Sequence, residues 1–464
     1  MLLCYNKFME EIMLDKIGSI NNYINNIVWG APMIILLLGT GIYFSIRLGF
    51  FQVSKIKEIY KRTIKNIFKD SNGKGAISSG KAALVSLGAI VGSGNIAGVA
   101  TAIASGGPGA LVWMWIAAFF GMATKFAEIT LGQLYRKVTQ KGNEVNVKAG
   151  PMYYLRDGVG SKFLAAFYSF MAMISYIVIV AMVDTNTIVL AVQNKFDVEA
   201  WIIALVLIII VGTIIFGGIK RLGNSSKYII PFMGILYILT GVAVLCVNYT
   251  QVGEAFMIIF KAALTPQAAA GGFAGATISE IIKYGLSRGM YSNEAGLGSA
   301  AIIHSAAKTD NPVKQALWSP VEIFIDTIII NTITGLVIVI SGLWTSGESG
   351  AALAMNAFNN GLPGGLGSYL ILISSILFSF TCLTSSSYVC EECAEYLFGL
   401  KSKYVVKVLW LSFIMIGALL SLDLVWEMAD TANGLMAIPN LIGILLLSNK
   451  VIKLKKEYFK NIKA

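Results

Sequence analysis

The chain has 464 residues, of which 56% are hydrophobic and only 13% charged. Soluble domains carry about 25% charged residues, so a water-soluble globular enzyme is excluded and an all-α polytopic membrane protein is indicated. The net charge of +11 sits in short loops between long apolar runs, the pattern of cytoplasmic loops rather than of a nucleic-acid-binding surface. One His and five Cys, with Cys390 and Cys393 as a lone C-x-x-C, support neither a zinc site nor a disulfide framework.

At about 20 apolar residues per crossing, about 11 transmembrane helices are predicted: 29–47, 81–105, 108–133, 162–192, 200–216, 228–248, 268–284, 315–343, 368–397, 403–421 and 426–448. The first residues lack a basic stretch, apolar core and small-residue cleavage site, so the first span is expected to remain. On this map 31 of the 36 Lys and Arg face one side, which predicts a cell-membrane protein with its N-terminus outside and its C-terminus in the cytoplasm. Four segments follow: residues 1–80 with the first span and a basic amphipathic loop, a five-span repeat over 81–248, a second over 249–448, and a basic tail over 449–464. Within the second repeat, residues 344–367 are too polar to span and are expected to form an external lid.

The segment Leu87 to Met114 reads LGAIVGSGNIAGVATAIASGGPGALVWM. Its glycines interrupt a helix, and Ser93 and Asn95 lie mid-span, where an unpaired polar group costs several kcal/mol. Such a break is expected to line a cavity, with the backbone of Gly92, Ser93 and Gly94 open to a ligand. Five spans later Gly271, Gly272 and Gly275, with Phe273, Ala274, Ala276 and Thr277, form a second glycine-rich break. Two breaks at corresponding positions predict a 5+5 inverted repeat preceded by one extra helix, with the binding site at the midplane. Half-helix N-termini favour an anionic group and exposed carbonyls a cation, so a zwitterionic amino acid accompanied by sodium supplies both partners.

Two blocks carry a resemblance. GGPGALVWMWIAAFFG (Gly106 to Gly121) and GLSRGMYSNEAGLGSAAIIHSAA (Gly285 to Ala307) are similar to the alanine or glycine:cation symporter family, although Val112 stands where an aromatic is expected. Val91 to Ile96 followed by Gly107 to Ala110 also resembles the LeuT-type sodium-coupled transporters. The resemblance implies a secondary transporter with a LeuT-type fold, moving alanine or glycine with sodium as the coupling ion and with no organic cofactor. It further implies sodium ligands at the Gly88 and Val91 carbonyls and the Thr381, Thr384 and Ser385 hydroxyls. Asn95 matches an amide that serves a second sodium in the leucine-type relatives. Substrate would lie against Gly92, Ser93, Gly94, Asn95 and the 271–277 break, with Phe273 as a lid over a pocket suited to small side chains.

Charges within spans are costly and mark pathways or buried contacts. Asp184 is a candidate for the substrate amine or the cation, or for carrying a proton instead of sodium. Lys125 and Glu128, three apart on one helical face, are expected to pair. Glu322 and Asp326 read as helix-helix or gate contacts, a carboxylate of that span being the other candidate for a proton carrier, and Arg288 with Glu294 as an inner gate. Nothing calls for a partner chain beyond the lipid bilayer, and a monomer is expected. No repeated selectivity segment suggests a channel, and no nucleophile with a base suggests an intramembrane enzyme.

Overall fold

The computed structural model describes residues 18–463 apart from 22, 142–143, 269–272 and 421–422. A chain this apolar satisfies its backbone inside a bilayer only by closing helical hydrogen bonds, and it is helical almost throughout. Among the described residues, six helices are long and apolar enough to cross a membrane, and nine candidates result if each bent pair counts as one.

In chain order, α1 (Ala31–Arg47) is followed by a short surface helix, α2 (Ile56–Arg62). The next span is broken: α3 (Ser79–Ile90) and α4 (Val99–Gly106) flank the turn Gly94–Gly98 with a bend of 50°. Then come α5 (Ala110–Tyr135), α6 (Lys162–Gln193), α7 (Ala200–Ile215), α8 (Gly218–Val247) and α9 (Tyr249–Ala262). A second broken helix consists of α10 (Ile278–Asn293) and α11 (Ser299–Ser305). The remainder is α12 (Pro312–Ser341), α13 (Gly350–Gly361), α14 (Leu366–Phe398), α15 (Ser402–Leu419), α16 (Asp423–Leu446) and α17 (Ser448–Lys463). The sheet is a hairpin of β1 (Lys137–Lys141) and β2 (Glu144–Lys148), paired antiparallel.

Helices lie over the predicted spans other than the seventh, but α8 begins at Gly218, inside the predicted basic loop, and α9 fills a predicted connection. Within residues 268–284, the predicted seventh span, Phe273 to Thr277 are not helical, with Gly275 at a φ of 86°, and the helix begins at Ile278. The reason is local. Thr277 and Glu280 form a reciprocal cap, with Thr277 Oγ1 accepting from Glu280 N and Glu280 Oε2 accepting from Thr277 N at 2.8 Å, and this fixes the helix start. The displacement moves Lys283 and Arg288 into α10 and away from the basic loops.

Two ends are distinguished by charge. At the basic end, residues 76–77 pair in parallel with 306–308, through Ala76 N to Ala306 O (2.8 Å) and Lys308 N to Ile77 O (2.7 Å). The Arg136 guanidinium donates to the carbonyls of Lys74, Ser305, Ala307 and Thr309 at 2.6–2.8 Å. This strap ties the start of the first broken helix to the end of the second. Lys148 of β2 and Lys403 also pair with Glu395 there. At the opposite end a vestibule of about 850 Å³ is lined by Thr101, Asn186, Arg288, Ser349 and Leu419, among others. The helix α13 lies beside it, within the segment expected to form a lid.

Candidate functional site

The first break faces the second. After Ile90 the backbone of Val91 turns extended, which frees the following amides from the helix ladder. Gly92 N donates to Asn95 Oδ1 at 2.9 Å and Ser93 N to Asp184 Oδ1 at 3.1 Å. The other Asp184 oxygen, Oδ2, is buried and has no hydrogen-bond partner. Gly92, Ser93, Gly94 and Asp184 line a closed cavity of about 20 Å³ together with Tyr291, Glu294, Cys382 and Asn433. That is room for about one water in this conformation.

A second break lies at residues 294–298, while Phe273 to Thr277 precede the helix rather than interrupt it. Glu294, Gly296 and Gly298 all have positive φ, and the interruption is held open by a carboxylate from α5. Glu128 Oε1 accepts from Gly296 N (2.9 Å), Gly298 N (3.2 Å) and Asn440 Nδ2 (2.6 Å). An anion at the N-terminus of a half-helix is the arrangement its free amides favour. Glu294 accepts from the Tyr176 hydroxyl at 3.1 Å and also from Ser299 Oγ.

These contacts correct three sequence expectations. Glu128 does not pair with Lys125, because the broken helix supplies it with amide donors instead; Lys125 Nζ lies 3.1 Å from Glu322, which also faces His304 Nε2 at 2.7 Å. Arg288 and Glu294 do not form one gate: Arg288 lines the vestibule, whereas Glu294 is buried at the second break. Phe273 packs edge-on against Trp344, and none of Phe273, Ala274, Gly275, Ala276 and Thr277 lines the cavity beside Asp184. Gly271 and Gly272 lie outside the described residues.

Asn95 anchors a second polar cluster, beyond the cavity. Its Nδ2 lies 2.6 Å from Asp326 Oδ1, 2.8 Å from Asn331 Oδ1 and 3.1 Å from Ser292 Oγ. Ser292 Oγ donates to Asp326 Oδ2 at 3.0 Å, as does Thr327 Oγ1 at 2.7 Å. All five side chains are buried, and they form a hydrogen-bonded network in which Asp326 accepts from the Asn95 amide nitrogen and the Ser292 and Thr327 hydroxyls, while Asn95 Oδ1 is held by Gly92 N. Sequence reasoning missed Ser292 and Asn331 and read Asp326 as a helix or gate contact or a proton carrier. The available signal was polar residues recurring inside the apolar run Phe324-Ile-Asp-Thr-Ile-Ile-Ile-Asn331.

The residues expected to hold sodium are brought together in part. A Cβ placed on Gly88 would stand 2.9 Å from Ser385 Oγ and 3.5 Å from Thr381 Cβ, so only glycine lets α3 and α14 approach this closely. Ser385 Oγ is buried without a hydrogen-bond partner. Thr381 Oγ1 donates to Phe378 O at 2.9 Å, and Thr384 Oγ1 lies 3.1 Å from the carbonyls of Phe380 and Thr381. The Thr381 and Thr384 hydroxyls thus donate their protons within their own helix, which leaves their oxygen lone pairs open to a cation. Val91 is buried at the end of α3.

The sodium:alanine symporter family profile matches residues 14–464. The "Sodium/alanine symporter AgcS" of Methanococcus maripaludis is 42% identical over 448 residues, 95% of this chain and 97% of the relative. The "Probable sodium/glutamine symporter GlnT" of Bacillus subtilis is 37% identical, covering 98% and 93%. Among solved structures, MhsT in complex with L-phenylalanine shares the fold with a TM-score of 0.60 at 14% identity, covering 81% of this chain and 89% of that one.

Proposed function

We propose that this chain, which belongs to the sodium:alanine symporter family, carries alanine or glycine across a cell membrane with sodium by alternating access. The observation that carries this reading is the meeting of two broken helices at one buried cavity beside an orphaned oxygen, Asp184 Oδ2, with a second, Ser385 Oγ, against Gly88 of the first broken helix. Buried polar groups are normally satisfied, and a bound cation or ammonium would satisfy both.

Sodium would sit between the Gly88 and Val91 carbonyls and the Thr381, Thr384 and Ser385 hydroxyls, the two threonines keeping their helix bonds while their lone pairs face the ion. The Asn95–Ser292–Asp326–Asn331 cluster would take a second cation only if the Asn95 amide turned its nitrogen away from Asp326. The substrate carboxylate would take the amides at Gly92 to Gly94. Ser93 N donates to Asp184 in this conformation, so binding exchanges that bond and turns Asp184 toward the substrate ammonium. Tyr291, Glu294 and Cys382, rather than the 271–277 segment, would wall the side chain, and a wall this close favours a methyl group or hydrogen. Eleven crossings as a 5+5 repeat after one extra helix would place the basic end in the cytoplasm and the vestibule outside, in a protein working as a monomer. Alternation then requires the strap at residues 76–77 and 306–308 to part as the vestibule closes.

Proton coupling through Asp184 is the second reading, favoured by its unpartnered Oδ2. Thermal unfolding of the purified protein separates the two. Alanine or glycine should raise the midpoint in sodium but not in potassium at constant pH, and leucine should not. Equal stabilisation in potassium would remove sodium from the site.

A further inference from the structure

The surface between α1 and α3 carries chemistry unrelated to the cavity. Along α2 and the turn after it, Ile56, Tyr60 and Ile64 recur every four residues and are 63%, 56% and 44% exposed. One position further on, Lys57, Lys61 and Lys65 form a parallel exposed row, and none of them makes an ion pair among the described residues. Arg62, by contrast, pairs with Glu58 at 3.1 Å and stacks on Tyr458. Beside the apolar row runs a groove of about 270 Å³, whose far wall includes Val321, Phe324 and Ile325 of α12. An apolar row edged by lysines is the geometry of a helix lying in a bilayer interface, with the apolar groups among acyl chains and the ammonium groups at headgroup level.

We propose that this groove binds an anionic phospholipid, with an acyl chain against Val321, Phe324 and Ile325 and the headgroup phosphate among Lys57, Lys61 and Lys65. Charge and shape commit the site to that occupant. Between Arg47 and Lys69 there are seven Lys and Arg against one acidic residue, Glu58, while the groove offers almost no polar side chain besides Gln52 and the Tyr60 hydroxyl. The lipid lies on the outer side of the turn of α12 whose inner side carries Glu322 and Asp326. It would thereby brace the turn that holds Asp326 against Asn95 and Ser292. The inference rests on α12 crossing the membrane and not on what the protein transports.

Its test is therefore lipid binding. Full-length protein in detergent is mixed with equal amounts of phosphatidylglycerol and phosphatidylcholine of the same chain length, and retained lipid is counted by native mass spectrometry. Three surface lysines favour an anionic headgroup by up to roughly 100-fold, so the wild type should retain phosphatidylglycerol with at least about a 10-fold preference. K57Q/K61Q/K65Q should lose the preference, Val321→Trp should lose the retained lipid by filling the groove, and K453Q/K456Q on α17 should behave as wild type. Inorganic phosphate should not displace the lipid. Equal retention of both lipids by the wild type, or equal loss of preference in K453Q/K456Q, would overturn the site in favour of diffuse surface charge. If a groove variant unfolds, the lysine variant alone decides.

Discussion

At the scale of single residues, the cation assignment turns on which hydroxyls are available. Ser385 and Thr384 are neighbours in sequence and look equivalent there, yet Ser385 Oγ is unpartnered and stands against Gly88, while the Thr384 hydroxyl donates within its own helix and offers only its lone pairs. Ser385→Ala should raise the half-saturating sodium concentration for transport about 10-fold, the worth of roughly one good hydrogen-bond-strength contact. Thr384→Ala should change it less than about 2-fold. Equal effects, or none from Ser385→Ala in a folded protein, would contradict the assignment. Asp184 was legible in the sequence because an isolated carboxylate in an apolar span is costly enough to mark a pathway or a buried contact. Ser292 and Asn331 were not, because only the fold brings the first break, α10 and α12 to one point.

At the scale of elements, the first break was legible and the second was not. The first interrupts an apolar helix, so its glycines and Asn95 stand out. The second interrupts a helix that is itself polar: α10 carries Glu280, Lys283 and Arg288, reads as a loop by hydropathy, and is covered by neighbouring helices rather than lipid. Its cap at Thr277 and Glu280 was the one local mark of where it starts. Closure of the basic end also belongs to this scale, because Arg136 joins segments flanking both broken helices through four carbonyls. Arg136→Gln cannot span all four, and each unmade bond to a charged donor costs about 1.5–3 kcal/mol. The substitution should shift the protein toward opening at that end, read as at least about a 10-fold faster reaction of an introduced Ala307→Cys with a membrane-impermeant maleimide. An unchanged rate would mean that the strap is held without Arg136.

At the scale of the whole molecule, composition alone announced a helical membrane protein, and family membership supplies a transporter built on sodium coupling. What composition could not supply is the asymmetry between the ends: a vestibule at one, and a strap, a hairpin and ion pairs at the other. Coupling in such a molecule means that sodium and substrate stabilise the same rearrangement, each altering the other's affinity by the same factor. The most direct measurement is uptake of radiolabelled alanine into proteoliposomes holding the purified protein, under an inward sodium gradient, a matched potassium gradient, or a pH gradient alone. Uptake driven by sodium alone, competed by glycine and not by leucine, is the expected result. Uptake driven by the pH gradient in the absence of sodium, or no alanine uptake under any gradient, would contradict sodium-coupled transport of small amino acids.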